Sequence, residues 1–278
     1  MTLTTTAELM SEAQRAGRGV MAFNVITLEQ AEGVLAAAEL AQSDVILQVS
    51  ENAVEFHGGR SAPLIGAAAA LIQPLAIRAS VHLDHATSID LCRRAADEGA
   101  SSVMFDGSRL DFVENVRATR AAAEWAQSAD VFLEAELGEI GGKGGAHAPN
   151  VRTDPEEARQ FVAETNVNAL AVAVGSVHAQ RDRTAKLEQD LIARLRDVVS
   201  VPLVLHGSSG VPDEEIREAI ANGIVKVNVG TALNSAYTQR LREHLSVNLD
   251  GSDPRPGLRE ARDAVSLITR QLLDVARH

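Results

Sequence analysis

Short apolar runs alternate with longer amphipathic stretches along the whole chain. A first helix is expected near residues 6–17, and Val20-Met21-Ala22-Phe23-Asn24-Val25 reads as a strand. Thr27 and Gln30 then form a capping box, in which hydroxyl and amide satisfy free backbone donors at the start of a helix reaching about Gln42. Val45 to Ser50 is a near-continuous apolar run, the pattern of a strand covered on both faces. A helical stretch around 61–77 precedes the strand that ends Val81-His82-Leu83-Asp84, and a helix from Ser88 to Ala96 stops at Gly99. Ser102 to Asp106 is a fourth strand, followed by a helix across 111–128, and Val131 to Glu136 is a fifth. Gly138 to Gly145 is too rich in glycine to pack as a regular element. Thr153-Asp154-Pro155-Glu156-Glu157 carries a capping residue, a first-turn proline and first-turn acids, all signals of a helix start. Strands at Ala169 to Gly175, Val201 to His206 and Ile224 to Asn228 follow, separated by helices at 186–198 and from Pro212. Helices from Thr231 and Leu258 close the chain.

Eight strands alternating with helices, with no shift in composition between them, predict one α/β domain over residues 1–278. The expected architecture is a closed TIM (β/α)8 barrel of parallel strands with a C-terminal helical extension, favoured over an open doubly wound sheet. Such barrels take about 250 residues as a single unit. A formal charge of −12 argues against nucleic acid or an anionic membrane surface as partner. It does not argue against an anionic metabolite, which local donors would hold. The single cysteine, Cys92, excludes an intramolecular disulfide, suits a reducing compartment and reads as a packing residue. No apolar run approaches the roughly 18 residues of a membrane helix, and the first residues show no basic segment followed by an apolar core, so a cytoplasmic protein is expected.

In a barrel of this kind the chemistry gathers at the C-terminal ends of the strands. Here those ends are Asn24, Ser50, Asp84 with His85, Asp106, Glu136, Gly175-Ser176-Val177-His178, His206 with Gly207, and Asn228, all polar or ionisable. Histidines at the ends of strands three, six and seven could converge, and three imidazoles with an open position suit catalytic zinc; cobalt, manganese and iron remain compatible. Adjacent side chains of a strand point to opposite faces, so Asp84 and His85 can serve one site only where the backbone turns. Asp84 is then an acid/base candidate, with His82 on its own face as support. Asp106 and Glu136 are either acceptors behind the metal ligands, alternative metal positions, or acceptors for loop amides. His206-Gly207-Ser208-Ser209-Gly210 and Asn228-Val229-Gly230-Thr231, the latter running into a helix N-terminus, offer donors for a phosphate.

Ala22-Phe23-Asn24, Leu83-Asp84-His85, Met104-Phe105-Asp106-Gly107-Ser108, Glu134-Ala135-Glu136-Leu137-Gly138, Gly175-Ser176-Val177-His178, Leu205-His206-Gly207-Ser208-Ser209-Gly210 and Lys226-Val227-Asn228-Val229-Gly230-Thr231 together resemble the class II, metal-dependent ketose-bisphosphate aldolases. The resemblance spans nearly the full chain. It implies one catalytic Zn2+ on His85, His178 and His206, Asp106 and Glu136 as alternative metal positions, and a possible second divalent or monovalent cation. It also implies Asp84 as the acid/base residue. The phosphate of a dihydroxyacetone phosphate unit would lie on Ala179, Gly207, Ser208, Ser209, Asn228, Val229, Gly230 and Thr231, with Asn24 and Ser50 nearby and Arg255 as a candidate for a distal phosphate. A homodimer or homotetramer acting on a small phosphorylated sugar is the implied assembly. Two departures stand out. The family's acidic residues after the Gly-Gly of the loop are replaced by Lys143-Gly144-Gly145-Ala146-His147, leaving Glu139 or His147 for that role, and Ala179 stands where the family has glycine. They keep open a related aldolase for a monophosphate or modified sugar, and a silent phosphosugar-binding barrel.

Overall fold

The computed structural model describes residues 3–137, 151–177, 180 and 182–277. The glycine-rich segment with Glu139 and His147, and also His178, Ala179 and Arg181, lie outside the described residues. The elements are α1 (Thr6–Arg15), β1 (Val20–Asn24), α2 (Leu28–Ala41), β2 (Val45–Ser50), α3 (Glu51–Phe56), α4 (Ala62–Ile72), β3 (Ala79–Ala86), α5 (Ile89–Asp97), β4 (Ser102–Phe105) and α6 (Phe112–Ser128). They continue with β5 (Phe132–Leu137), α7 (Pro155–Thr165), β6 (Ala169–Val172), α8 (Gln189–Val198), β7 (Leu203–Leu205), α9 (Asp213–Asn222), β8 (Ile224–Val229), α10 (Thr231–Val247) and α11 (Arg255–Ala276). All neighbouring strands pair in parallel and in chain order, and β8 returns to β1, so the sheet closes into the expected eight-stranded barrel.

Alternation along each strand divides the barrel wall into two surfaces. Phe23, Leu47, Val81, Leu83, Val103, Leu133, Leu170, Leu205 and Val227 face outward into one apolar core beneath the helices. Each such side chain, fully buried, contributes about 1.5–3 kcal/mol. The inward face is apolar near the strand N-termini, where Ala22, Ile46, Ala171 and Val204 meet Leu9 and Met10 of α1. Above that layer the interior turns polar, with Gln48, His82, Asp84, Glu134, Glu136, His206, Lys226 and Asn228 all buried.

Several boundaries moved for local reasons. The seventh strand begins at Leu203 rather than Val201, because Pro202 has no N–H to give the ladder while its carbonyl still accepts from Leu170. The last helix begins at Arg255, three residues before Leu258, with a proline tolerated in its first turn. It packs on α2 and α10, covering the side of the barrel where the sheet closes. The short helix α3 was not expected; Ser50 caps it, accepting from the Ala53 N–H at 3.2 Å.

Candidate active site

Strand β3 does not end at Asp84. It runs on to Ala86 through a break in its register with β4 between Leu83 and Ala86, and His85 takes a left-handed backbone conformation with φ 54°. Left-handed geometry costs a residue other than glycine energy; among the described residues the others that take it, Gln42, Asp130 and Asn166, lie at or just past helix ends, and only His85 takes it inside a strand. Here the kink undoes the alternation, so consecutive side chains Asp84 and His85 both reach the same site, with His85 Nε2 4.0 Å from Asp84 Oδ2.

Side chains of β1 and β8, strands that do not pair with β3, hold Asp84 by both oxygens. Asn24 Nδ2 on β1 donates to Oδ2 at 2.8 Å and Asn228 Nδ2 on β8 donates to Oδ1 at 3.2 Å. Gln48 Nε2 in turn donates to Asn24 Oδ1 at 3.0 Å. Burial alone would raise the pKa of Asp84, but His85, His206 and Lys226 outweigh it and hold the carboxyl well below the usual range. His85 is oriented from behind. Its Nδ1 lies 2.9 Å from Asp106 Oδ2, and the other oxygen of Asp106 accepts from the Ser108 N–H and hydroxyl.

His206, just beyond β7, is fully buried, with its ring centroid 4.6 Å from that of His85. Its Nε2 donates to Glu134 Oε1 at 2.9 Å, and its Nδ1 lies 3.4 Å from Glu136 Oε2. Burial opposes a charge on this ring, yet the bonds to Glu134 and Glu136 prevail and raise its pKa to about 9. The same carboxylates would favour a divalent cation beside it. Glu134 is itself held low, at about 2, because Lys226 and the His206 bond overcome its burial. His82, expected beneath Asp84 as its support, takes another partner instead: its Nδ1 pairs with Ser102 Oγ at 2.7 Å. Ser102 continues to Thr6 of α1 at 2.6 Å, so His82 belongs to a polar seam toward the base of the barrel. Its pKa is pushed down to about 3, by burial first and by Lys226 second.

Asp84, His85 and His206 bring ligand atoms within 4.8 Å of one another, and so do His85, Asp106 and Glu136. Two imidazoles backed by oriented carboxylates at this spacing fit a single divalent transition-metal ion, and Asp84, whose two oxygens are taken by Asn24 and Asn228, lies beside that position as an acid/base group rather than a required ligand.

A cavity of about 590 Å³ opens above these groups. Asn24, Ser50, Asp84, His85, Asp106, Gly207, Ser208, Ser209, Asn228, Gly230 and Thr231 all line it. Gly207 makes the turn after β7 with φ 67°, a conformation that costs glycine little. Ser208 Oγ then donates to the Asn228 carbonyl at 2.5 Å, and Ser209 Oγ accepts from the Ala232 N–H at 3.1 Å, tying this turn to the N-terminus of α10. Val229 faces the hydrophobic core, so only its backbone is on offer. Arg255 is not part of the cavity wall: its exposed guanidinium pairs with Asp253 at 2.8 Å.

Glu51, Asn52, Glu55, Thr87, Arg109 and Asn234 also line the cavity and were not foreseen. Asn234 lies one turn into α10, three residues after Thr231, and that spacing was a usable signal. Its Oδ1 accepts from Gln30 Nε2 at 2.8 Å. Glu51 accepts from the Thr87 N–H and hydroxyl at 3.1 and 3.0 Å. Among the described residues no helix is long and apolar enough to cross a membrane.

A family model described as fructose-bisphosphate aldolase class-II matches residues 4–278. A fructose-bisphosphate aldolase of Geobacillus stearothermophilus is 38% identical over 269 residues, 95% of this chain and 93% of that protein. Among solved structures, the YdjI aldolase from Escherichia coli K12 is similar with a TM-score of 0.84 at 32% identity, over 99% of this chain and 97% of that one. A structure from Coccidioides immitis, provisionally assigned as a fructose-1,6-bisphosphate aldolase, is similar with a TM-score of 0.88 at 29% identity, over 98% and 96%.

Proposed function

This chain belongs to the class-II fructose-bisphosphate aldolase family, and on that premise we propose that it cleaves a phosphorylated ketose reversibly between C3 and C4, releasing dihydroxyacetone phosphate and an aldehyde. The ketose is of the fructose- or tagatose-1,6-bisphosphate type. The observation that carries the reading is a juxtaposition: Asp84, flanked by His85, faces the same cavity as the Gly207–Ser209 turn and the N-terminus of α10.

His85 and His206, with His178, would hold zinc, and the ion would supply Lewis-acid charge for the carbonyl of the three-carbon half. Asp106 fixes the His85 ring through the 2.9 Å bond to Nδ1, which turns Nε2 toward Asp84, and it is through Nε2 that His85 would hold the ion. In cleavage the C3–C4 bond breaks, its electron pair stays on C3, and Asp84 takes the C4 hydroxyl proton. In condensation Asp84 returns it. The amides of Asn24 and Asn228 keep both carboxylate oxygens in place for that transfer. Ser208, Ser209, Gly230 and Thr231 bind the phosphate, helped by the positive end of the 17-residue helix α10, whose Ala232 N–H already holds Ser209 in place. Proton exchange at C3 falls to Glu139 or His147. A homodimer or homotetramer, by family resemblance, is part of this reading, as is a cytoplasmic location.

A second reading rests on the wall formed by α3. Glu51 and Glu55 line the cavity there, while Arg109 is the arginine among the described lining residues. Carboxylates on that wall disfavour a second phosphate and favour a monophosphate or otherwise modified sugar. A cleavage screen of phosphorylated ketoses, run with and without a chelator, tests both readings. Bisphosphate cleavage that stops on metal removal supports the first, and cleavage of monophosphates alone supports the second. Chelator-resistant cleavage sinks the metal assignment in either.

A further inference from the structure

Glu134 lies one alternation below Glu136 on the inner face of β5, with no exposed surface. Its two oxygens have different partners. Oε1 accepts from His206 Nε2 at 2.9 Å, and Oε2 accepts from Lys226 Nζ at 2.7 Å. Lys226 is also fully buried, and neither it nor Glu134 lines the cavity. The pair therefore cannot act on a substrate directly.

We propose that Glu134, clamped by Lys226, is a positioning residue that keeps the proton of His206 on Nε2 and so presents Nδ1 to the metal. The inference rests on His206 being a ligand, as in the function proposed above. A neutral imidazole has one donor nitrogen and one acceptor nitrogen, and the partner of one decides the role of the other. Both ring nitrogens of His206 face carboxylates, which only accept; when a metal takes one nitrogen, the 2.9 Å bond from Nε2 to Glu134, against 3.4 Å between Nδ1 and Glu136, keeps the hydrogen on Nε2. Lys226 supplies the second constraint. Any rotation of Glu134 away from His206 would break a 2.7 Å ion pair where neither group has solvent to replace it. Asp106 does the same for His85 from the opposite ring nitrogen, its bond going to Nδ1 and leaving Nε2 for the ion. The two rings would thus bind through different nitrogens, as each one's carboxylate dictates.

A buried lysine–glutamate pair could instead serve only to fill the barrel interior, so the test compares two variants of equal charge. Lys226→Met/Glu134→Gln retains a carbonyl acceptor for His206 Nε2–H, whereas Lys226→Met/Glu134→Leu removes it. Zinc affinity is measured by chelator competition, and the 15N shifts of the His206 ring are read in zinc-loaded protein. The expected result is Nε2–H with zinc on Nδ1 in the wild type, near-normal zinc affinity in the glutamine variant, and a loss of about 10- to 100-fold in the leucine variant. Equal affinity in the two double variants overturns the inference, and so does a His206 proton found on Nδ1 in the zinc-loaded wild type. The wild-type spectrum decides the matter even if a variant fails to fold. Wild-type protein that takes up no zinc would instead refute the metal reading on which the inference rests.

Discussion

Asn24→Ala isolates the support of the proposed base from its chemistry. Asn24 donates to Asp84 at 2.8 Å and is itself held by Gln48 at 3.0 Å, so the amide is aimed before any substrate arrives. Asp84 is 3% exposed, which leaves water little room to replace a lost donor. A hydrogen bond to a charged group contributes about 1.5–3 kcal/mol. If that bond holds the carboxylate in line for proton transfer, its loss lowers kcat by about 10- to 160-fold, at 1.36 kcal/mol per tenfold. The bond from Asn228 is longer, at 3.2 Å, so Asn228→Ala should cost less. Neither amide bonds to His85 or His206, and zinc content should stay at the wild-type level. The assay is steady-state release of dihydroxyacetone phosphate, with metal measured in the same samples. An Asn24→Ala protein with unchanged kcat would refute the reasoning, as would one that lost its zinc.

Two further outcomes follow from the barrel interior and its shell. Lys226→Met strands the Glu134 carboxylate with His206 as its remaining donor, and chemical denaturation should show a loss of about 3–5 kcal/mol; adding Glu134→Gln should recover most of it, and a double variant less stable than the single would contradict this. The Cys92 thiol is fully buried, and burial, with Glu51 second, pushes its pKa up to about 12. A thiol reagent at pH 8 should leave the folded protein unmodified and label the denatured chain fully, and rapid labelling of folded protein would disprove the packing role.

Much of the fold was legible because period-2 and period-3.6 patterns alternate cleanly, and all eight strands formed where short apolar runs stood. What the pattern hid was the inward face. Lys226 and Glu134 sit two residues before Asn228 and Glu136, on the same face as the chemistry, and that alternation alone placed them inside. A buried lysine is readable in a sequence only through a partner on another strand, here Glu134. The kink at His85 was equally hidden, since histidine carries no mark of a left-handed φ; the need for a turn there was inferred, but the strand continued through it. Helix α3 escaped because six residues show no helical period, and with it went Glu51, Asn52 and Glu55. Arg255 illustrates the opposite limit. A family-like segment suggested a role in the site, and a local ion pair with Asp253 is where the side chain lies.

The central claim is that Asp84 moves the proton while histidines hold the metal, and cleavage by Asp84→Ala protein, with zinc quantified in the same preparation, tests it most directly. The account predicts wild-type zinc content with cleavage reduced by about 10²- to 10⁴-fold, the usual contribution of a positioned acid/base group. Full cleavage by the Asp84→Ala protein would contradict it.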